Sequence, residues 1–187
     1  AASDVYKRQG DNYFYIYCLW VSGSYKGKGY GKELLQSCID DAKAQGKSGI
    51  CLLSSKKKKP FLSEKKFMLK YGFKVVDTIN DEYELLALSF DGTQPQFTSN
   101  VRKQSIEGKE LTIYYGVQCP YIPNCIEQIY NYCENNQIPL RLVEIDTLEK
   151  AKQLPCIFNN WAVFYNGKFE TVHLLNEGLL KKLLQLK

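Results

Sequence analysis

Histidine is nearly absent from this chain. His173 is the only histidine in 187 residues, and it lies in a strand-like run. Histidine is the side chain most often used as a metal ligand or as a general base near neutral pH. A single copy in such a run is typical of an ordinary strand residue, so we predict no metal site.

Long apolar runs are absent as well. No stretch approaches the roughly 20 uninterrupted apolar residues of a membrane helix, and no charged and then apolar leader opens the sequence. The 7 cysteines are odd in number and irregularly spaced, which favours reduced thiols over a disulfide framework. We expect a cytoplasmic protein with no membrane partner.

An excess of charge is also lacking. The net charge of +5 accompanies 20 acidic residues, and it favours anionic ligands such as nucleotides without demanding a nucleic-acid partner. The lysine run at residues 56–59 is typical of a solvated loop. We predict no nucleic-acid partner, and the sequence leaves the oligomeric state open.

The chain divides into two α/β regions joined by a polar segment. Residues 1–10 resemble a translated adapter sequence, and we interpret them as a non-native or disordered leader. Residues 91–108 hold proline, glycine and many polar residues with little periodicity, which is typical of a linker. We therefore expect one domain at residues 11–90 and a second at residues 109–187.

The first region alternates strands and helices. Residues 13–21 are aromatic and β-rich, residues 31–45 have the spacing of an amphipathic helix, and residues 50–54 are a short apolar run. This order predicts a βαβ unit with parallel strands. The region is completed by a short helix ending at Tyr71-Gly72 and by two strands at residues 73–76 and 83–90.

The second region has a different order. Residues 111–115 predict a strand, Pro123 stands in the first turn of a helix, and residues 140–145 predict another strand. Asn166-Gly167 is typical of a tight antiparallel turn. The elements around and after that turn are two strands and a helix, at residues 157–165, 169–174 and 177–186. The order βαβ and then ββα is that of thioredoxin.

The most informative segment is Lys26-Gly27-Lys28-Gly29-Tyr30-Gly31, between a strand and a helix. Such a turn presents backbone N–H groups and the positive end of the helix dipole, which together favour a pyrophosphate. Glycine lets the backbone approach the ligand closely, and the lysines, with Lys32, add positive charge. A Walker A loop and a dinucleotide fingerprint both require spacings that this segment lacks.

The segment resembles the acetyl-CoA loop of the GNAT superfamily, which is Arg or Gln, two residues, Gly, any residue, and Gly or Ala. Lys26 in the first place is a departure that keeps a cation. Residues 67–73, Phe-Met-Leu-Lys-Tyr-Gly-Phe, are similar to the later signature Phe-Tyr-x-Lys-x-Gly-Phe. The resemblance implies an α/β chain with part of the GNAT acyl-CoA N-acyltransferase fold.

The same resemblance implies acetyl-CoA as the cosubstrate and an amine of a small molecule or a protein as the acceptor. Backbone N–H groups at residues 28–31 would hold the pyrophosphate, and residues 19–21 would pair with the pantetheine arm. The candidate coenzyme residues are Leu19, Trp20, Val21, Lys26, Gly27, Lys28, Gly29, Tyr30, Gly31 and Lys32. Met68 occupies the place of the family's frequent general acid, a tyrosine, so no general acid is assigned.

Cys119 lies between a strand and a helix, where a thioredoxin-like fold places its reactive thiol. A thiolate near a helix N-terminus is stabilised, which makes Cys119 the candidate reactive thiol of the second domain. Ile122 stands where the partner of a CxxC pair would be, and Cys125 and Cys156 are other possible neighbours. Leu154-Pro155 is similar to the cis-proline of that fold. Buried structural thiols are the alternative interpretation.

An acetyltransferase followed by a Cys-Pro-Tyr-Ile-Pro segment and a Tyr-Asn-Gly-Lys hairpin resembles the YoaP-like family, which has a C-terminal thioredoxin-like domain. GNAT domains have further strands and helices before the strand that corresponds to residues 13–21. The resemblance therefore implies an N-terminally truncated fragment without a complete acceptor site. Three hypotheses remain: an N-acetyltransferase, a thiol redox or thiol-binding module with a vestigial acetyltransferase domain, and a non-enzymatic CoA-sensing or interaction protein.

Overall fold

The computed structural model describes residues 12–185 and divides into two compact units, Ala1–Thr98 and Ser99–Lys187. The leader predicted at residues 1–10 lies outside the described residues. The segment predicted as a linker, residues 91–108, spans the division between the units. It contains buried side chains on each side of that division, Phe97 in the first unit and Val101 in the second.

The first unit is a mixed four-stranded sheet with two helices. Its elements are β1 Tyr13–Tyr15, α1 Tyr30–Ala44, β2 Gly49–Ser55, α2 Lys65–Lys70, β3 Lys74–Ile79 and β4 Tyr83–Ser89. The strand order is β1-β2-β4-β3, with β1 parallel to β2 and the other pairs antiparallel. The βαβ unit predicted from the sequence is confirmed.

The first strand is much shorter than predicted. Residues 13–21 have the composition of a continuous strand, but β1 has 3 residues and its pairing with β2 runs only from Tyr13–Gly49 to Tyr15–Cys51. The amide of Ile16 still donates to the carbonyl of Cys51 at 2.9 Å. Beyond it, β2 continues to Ser55 while the first chain leaves the sheet, so strand propensity alone overestimated the length of β1.

Both faces of the first sheet are buried. On one face α1 and α2 contribute Leu35, Ala42 and Met68 to a core shared with Ile50 and Leu52 of β2. On the other face the segment after β4 is tied to the sheet. The Tyr13 hydroxyl donates to the carbonyl of Thr93 at 2.6 Å, and the Phe97 amide donates to the Asp77 carboxylate at 2.8 Å.

The second unit is also a mixed four-stranded sheet. Its elements are β5 Leu111–Tyr115, α3 Ile122–Asn135, β6 Leu140–Glu144, α4 Leu148–Gln153, β7 Trp161–Tyr165, β8 Lys168–Thr171 and α5 Glu177–Leu184. The strand order is β6-β5-β7-β8, with β5 parallel to β6 and antiparallel to β7. The helix α4 was not predicted, because its 6 residues carry little apolar periodicity.

The hairpin between β7 and β8 turns at Asn166 and Gly167, whose φ angles are 50° and 76°. Positive φ at both central residues is what a two-residue hairpin turn requires. The strand before the turn begins at Trp161, not at residue 157 as predicted. Asn160 has a φ of 65°, which is incompatible with a strand, so the buried run before it is a coil.

Helices α3 and α5 supply much of the second core. Ile122, Ile129 and Leu180 are buried there with Ile113 of β5 and Trp161 of β7. None of the helices within residues 12–185 is both long enough and apolar enough to cross a membrane.

Candidate functional site

The glycine turn between β1 and α1 has the backbone shape that glycine favours. Gly27 has a φ of 78°, and Gly29, the N-cap of α1, has a φ of 91°. A Cβ atom at either position would meet no other atom within 4 Å. Glycine is therefore required at these positions by backbone conformation and not by lack of space.

The amides of this turn are open. The N–H of Lys26 donates back to the carbonyl of Gly23, and those of Lys32 and Glu33 donate to the carbonyl of Gly29. Between these residues, the N–H groups of residues 27–31 donate no hydrogen bond to another described residue. The connection into α1 thus leaves a row of donors without an acceptor among the described residues, beside the positive end of the helix dipole.

The third glycine of the turn has a different role. A Cβ atom on Gly31 would lie 3.5 Å from Cζ of Phe67 in α2 and 4.0 Å from Cγ2 of Val21. These are ordinary van der Waals distances, so an alanine would fit. At Gly31 the start of α1 lies beside α2 and beside the chain that leaves β1, and space alone does not require a glycine there.

Exposed aromatic rings and lysines surround the turn. Lys26 Nζ lies 4.8 Å from the ring centroid of Trp20, and Lys28 Nζ lies 5.8 Å from that of Tyr25. Trp20 is 65% exposed, so these cation–π pairs are at the surface, where each contributes about 0.5–1 kcal/mol. The lysines remain free to turn towards an anion.

The structure brings only some of the predicted coenzyme residues close together. Those from Lys26 to Lys32 form the turn and the first residues of α1. Leu19 packs against the helix-side core, Val21 reaches Gly31, and the side chain of Trp20 faces solvent. Two shallow depressions flank α1, and both include Glu33 and Ser37, which the sequence did not indicate.

The position of the family's general acid is occupied by a buried thioether. Met68 is 0% exposed and has no proton to donate. The neighbouring ring of Tyr71 packs on Phe67 with 4.8 Å between centroids, on the partly buried side of α2.

The thiol predicted to be reactive lies in the loop between β5 and α3. Cys119 is half-buried and packs against the second core, and its carbonyl accepts a hydrogen bond from the amide of Ile122 at 3.1 Å. The helix begins at Ile122, so Cys119 precedes its first turn.

The other cysteines of this unit are poor partners for exchange. The thiol of Cys125 donates to the carbonyl of Leu175 at 3.0 Å, and burial raises the pKa of this thiol to about 11. Cys156 is fully buried, and burial raises the pKa of its thiol well above the usual value. The thiolate is the nucleophile in disulfide exchange, so neither residue is poised to resolve a disulfide.

The resemblance of Leu154-Pro155 to a cis-proline is wrong for this structure, since no peptide bond between residues 12 and 185 is cis. Leu154 has a ψ of 132°, the extended conformation that proline imposes on the residue before it. Residues 12–185 also hold no group of three or more His, Cys, Asp or Glu side chains suited to a metal ion.

Comparison with known proteins agrees with this geometry in both halves. Residues 2–73 match the Acetyltransferase (GNAT) family, and residues 139–182 match the family described as YoaP-like. The chain belongs to the GNAT acetyltransferase family and carries a YoaP-like domain after its acetyltransferase domain. The predicted α/β fold class is confirmed.

A particular relative supports the same assignment. The chain is 38% identical over 175 residues to a protein of Bacillus subtilis (strain 168) named Uncharacterized N-acetyltransferase YoaP. The alignment covers 92% of this chain and 70% of that protein. No solved structure matches the chain significantly.

Proposed function

We propose that this protein binds acetyl-CoA and transfers its acetyl group to an amine of an acceptor, a small molecule or a protein. The observation that carries the proposal is the row of N–H groups at residues 27–31, which have no acceptor elsewhere in the described chain. Donors of this kind at a helix N-terminus bind phosphate groups. Membership of the acetyltransferase family indicates that the phosphate groups held there would be the pyrophosphate of CoA and that the reaction would be acetyl transfer.

The rest of the coenzyme follows from the same arrangement. Lys26, Lys28 and Lys32 surround the turn and would offset the negative charge of the phosphates. The backbone of residues 19–21 forms no hydrogen bond with another described residue, so it is available to pair with the amides of the pantetheine arm. The arm would then run from the turn towards the point where β1 and β2 part.

Acetyl transfer at such a site rests on positioning. An amine held against the thioester in the right orientation avoids most of the entropic cost of a bimolecular reaction. Backbone donors near the thioester carbonyl would stabilise the negative charge that develops on its oxygen. No side chain needs to form a covalent intermediate.

The experiment that tests this proposal is calorimetric titration with acetyl-CoA. In the Gly29→Glu variant a carboxylate stands at the pyrophosphate position, and we expect binding to fall below detection. Gly46→Glu is the matched control, because Gly46 also has positive φ and open space but lies at the other end of α1. Equal affinity of the two variants, or no binding by the unaltered protein, would exclude the coenzyme site.

We further propose that the second unit is thioredoxin-like. Its order of strands, β6-β5-β7-β8, and the helices that follow β5 and β8 support this assignment. The position of Cys119 before α3 favours a second function, a thiol-binding or single-thiol activity, and the protonated state of Cys125 disfavours dithiol exchange. A protein that binds acetyl-CoA but transfers nothing to any amine would instead be a CoA sensor.

A further inference from the structure

The lysines between β2 and β3 fall into two groups. Three of them are neutralised by carboxylates of the β3–β4 hairpin, in the ion pairs Lys56–Asp81, Lys59–Glu82 and Lys65–Glu84. The other four are exposed and form no ion pair with another described residue: Lys57 and Lys58 in the loop, and Lys66 and Lys70 in α2. The charges of this second group are available to an external anion.

The geometry of α2 places two of these unpaired lysines on one side of the helix. Successive residues are rotated by about 100° around a helix axis, so Lys66 and Lys70 lie about 40° apart. Met68 is 0% exposed and marks the side of α2 that faces the core. Each of the two lysines is about 160° from Met68 around the axis, so both lie on the solvent side.

The same helix lies beside the phosphate-binding turn. Cζ of Phe67 is 3.5 Å from the place that a Cβ atom on Gly31 would occupy. Phe67 is next to Lys66 in the sequence and one helical turn from Lys70, and both lysines lie on its solvent side. The open amides of residues 27–31 and the two lysines therefore flank the same contact between α1 and α2.

The anion that suits these lysines is a phosphate other than the pyrophosphate. The proposed pyrophosphate position already has the amides of residues 27–31, with Lys26, Lys28 and Lys32 around them. Coenzyme A carries a third phosphate, a monoester on the ribose 3′-oxygen. A phosphate monoester has a charge of about −1.5 to −2 near neutral pH, and lysine binds phosphate as a point charge. Two unpaired ammonium groups beside the turn match this charge.

We propose that Lys66 and Lys70 bind the 3′-phosphate of coenzyme A, an assignment that rests on the proposed binding of acetyl-CoA. The four-carbon stem of lysine is flexible, so two ammonium groups on one side of α2 can converge on a single phosphate. Lys65 does not take part, because its ammonium group lies 2.6 Å from the Glu84 carboxylate. The site therefore selects acetyl-CoA over acetyl-dephospho-CoA, which lacks only this phosphate.

The test is calorimetric titration of the full chain with acetyl-CoA and with acetyl-dephospho-CoA, at low ionic strength so that surface charges are little screened. We expect the unaltered protein to bind acetyl-CoA about tenfold more tightly, as two surface charge contacts would give. Lys66→Ala and Lys70→Ala should each reduce this preference to about threefold, and the double variant should reduce it to about one. The affinity for acetyl-dephospho-CoA should stay within about twofold throughout, because exposed substitutions leave the turn intact.

Lys74→Ala is the matched control. Lys74 is also exposed and forms no ion pair with another described residue, but it begins β3, beyond the far end of α2. We expect this variant to keep the preference. A preference that persists in the double variant, or one that Lys74→Ala lowers equally, overturns the assignment. Equal weakening of both ligands by Lys66→Ala also overturns it, because the lysine would then act on the shared part of the coenzyme.

The unaltered protein separates this proposal from the one on which it rests. Equal binding of the two ligands overturns the 3′-phosphate site alone and leaves the proposed function in place. Failure to bind either ligand overturns both proposals together. Circular dichroism of each variant checks that the fold is retained.

Discussion

The two units connect a strand to a helix through loops of different composition. Between β1 and α1 the amides of residues 27–31 have no acceptor among the described residues. Between β5 and α3 the Gly116 amide donates to the carbonyl of Asn160 and the Ile122 amide donates to that of Cys119, but the amides of residues 117–119 and 121 also lack a described acceptor. The difference lies in what accompanies the open amides: lysines and glycines with positive φ in the first loop, and a half-buried thiol, Cys119, in the second. The same βαβ arrangement thus carries two loops with different chemical groups.

The largest expected difference between the units is in stability. Each contains one tryptophan, but Trp161 is 1% exposed and Trp20 is 65% exposed. We expect Trp161→Ala to lower the free energy of unfolding of the second unit by about 3–5 kcal/mol, because it leaves a large cavity. Trp20→Ala should change stability by less than about 0.5 kcal/mol. Urea unfolding followed by circular dichroism measures both, and similar losses would contradict the burial described here.

The next largest effect concerns the thiols of the second unit. The raised pKa of Cys125, about 11, keeps it protonated until the pH approaches that value, so its reactivity rises only in strong alkali. We expect iodoacetamide at pH 8 to modify Cys119 about 100-fold faster than Cys125. Mass spectrometry of the labelled peptides gives both rates, with the buried Cys133 as an internal reference. Labelling of Cys119 no faster than that of Cys133 would remove the thiol function.

A smaller effect is expected when the first connection is reshaped without added charge. A residue with a Cβ atom at the φ of Gly29, 91°, is strained by about 1–2 kcal/mol, so Gly29→Ala should move the amides and weaken acetyl-CoA binding about tenfold. Gly46→Ala introduces similar strain at a φ of 63° but at the far end of α1. Calorimetry should show unchanged acetyl-CoA affinity for Gly46→Ala. If Gly46→Ala weakens binding as much as Gly29→Ala does, the loss is caused by strain in the helix and not by a change in the turn.

The smallest effect tests the lysines. Lys26 and Lys43 both lie over an aromatic ring, that of Trp20 and that of Phe90, but only Lys26 adjoins the turn. We expect Lys26→Ala to weaken acetyl-CoA binding about threefold at low salt, and less at high salt because surface charges are screened. Lys43→Ala should leave the acetyl-CoA affinity unchanged at both low and high salt. Equal losses at all salt concentrations would show that charge at the turn does not contribute.

The sequence predicts the elements whose signals are local. The strand at Leu111–Tyr115 and the turn at Asn166 and Gly167 are where residue type and spacing indicate them. The glycine spacing likewise indicated the loop between the first strand and α1. The length of β1 could not be predicted, because its composition does not reveal that β2 stops pairing with it after Cys51.

The segment after β4 also determines where the chain can be divided. Thr93 and Phe97 are bonded to Tyr13 and Asp77, residues far earlier in the sequence, although the sequence indicated a linker from residue 91. Ending a recombinant first half at residue 90 would remove both bonds and uncover the ring of Tyr13. A version that ends after Thr98 would keep the tether that closes this face of the sheet.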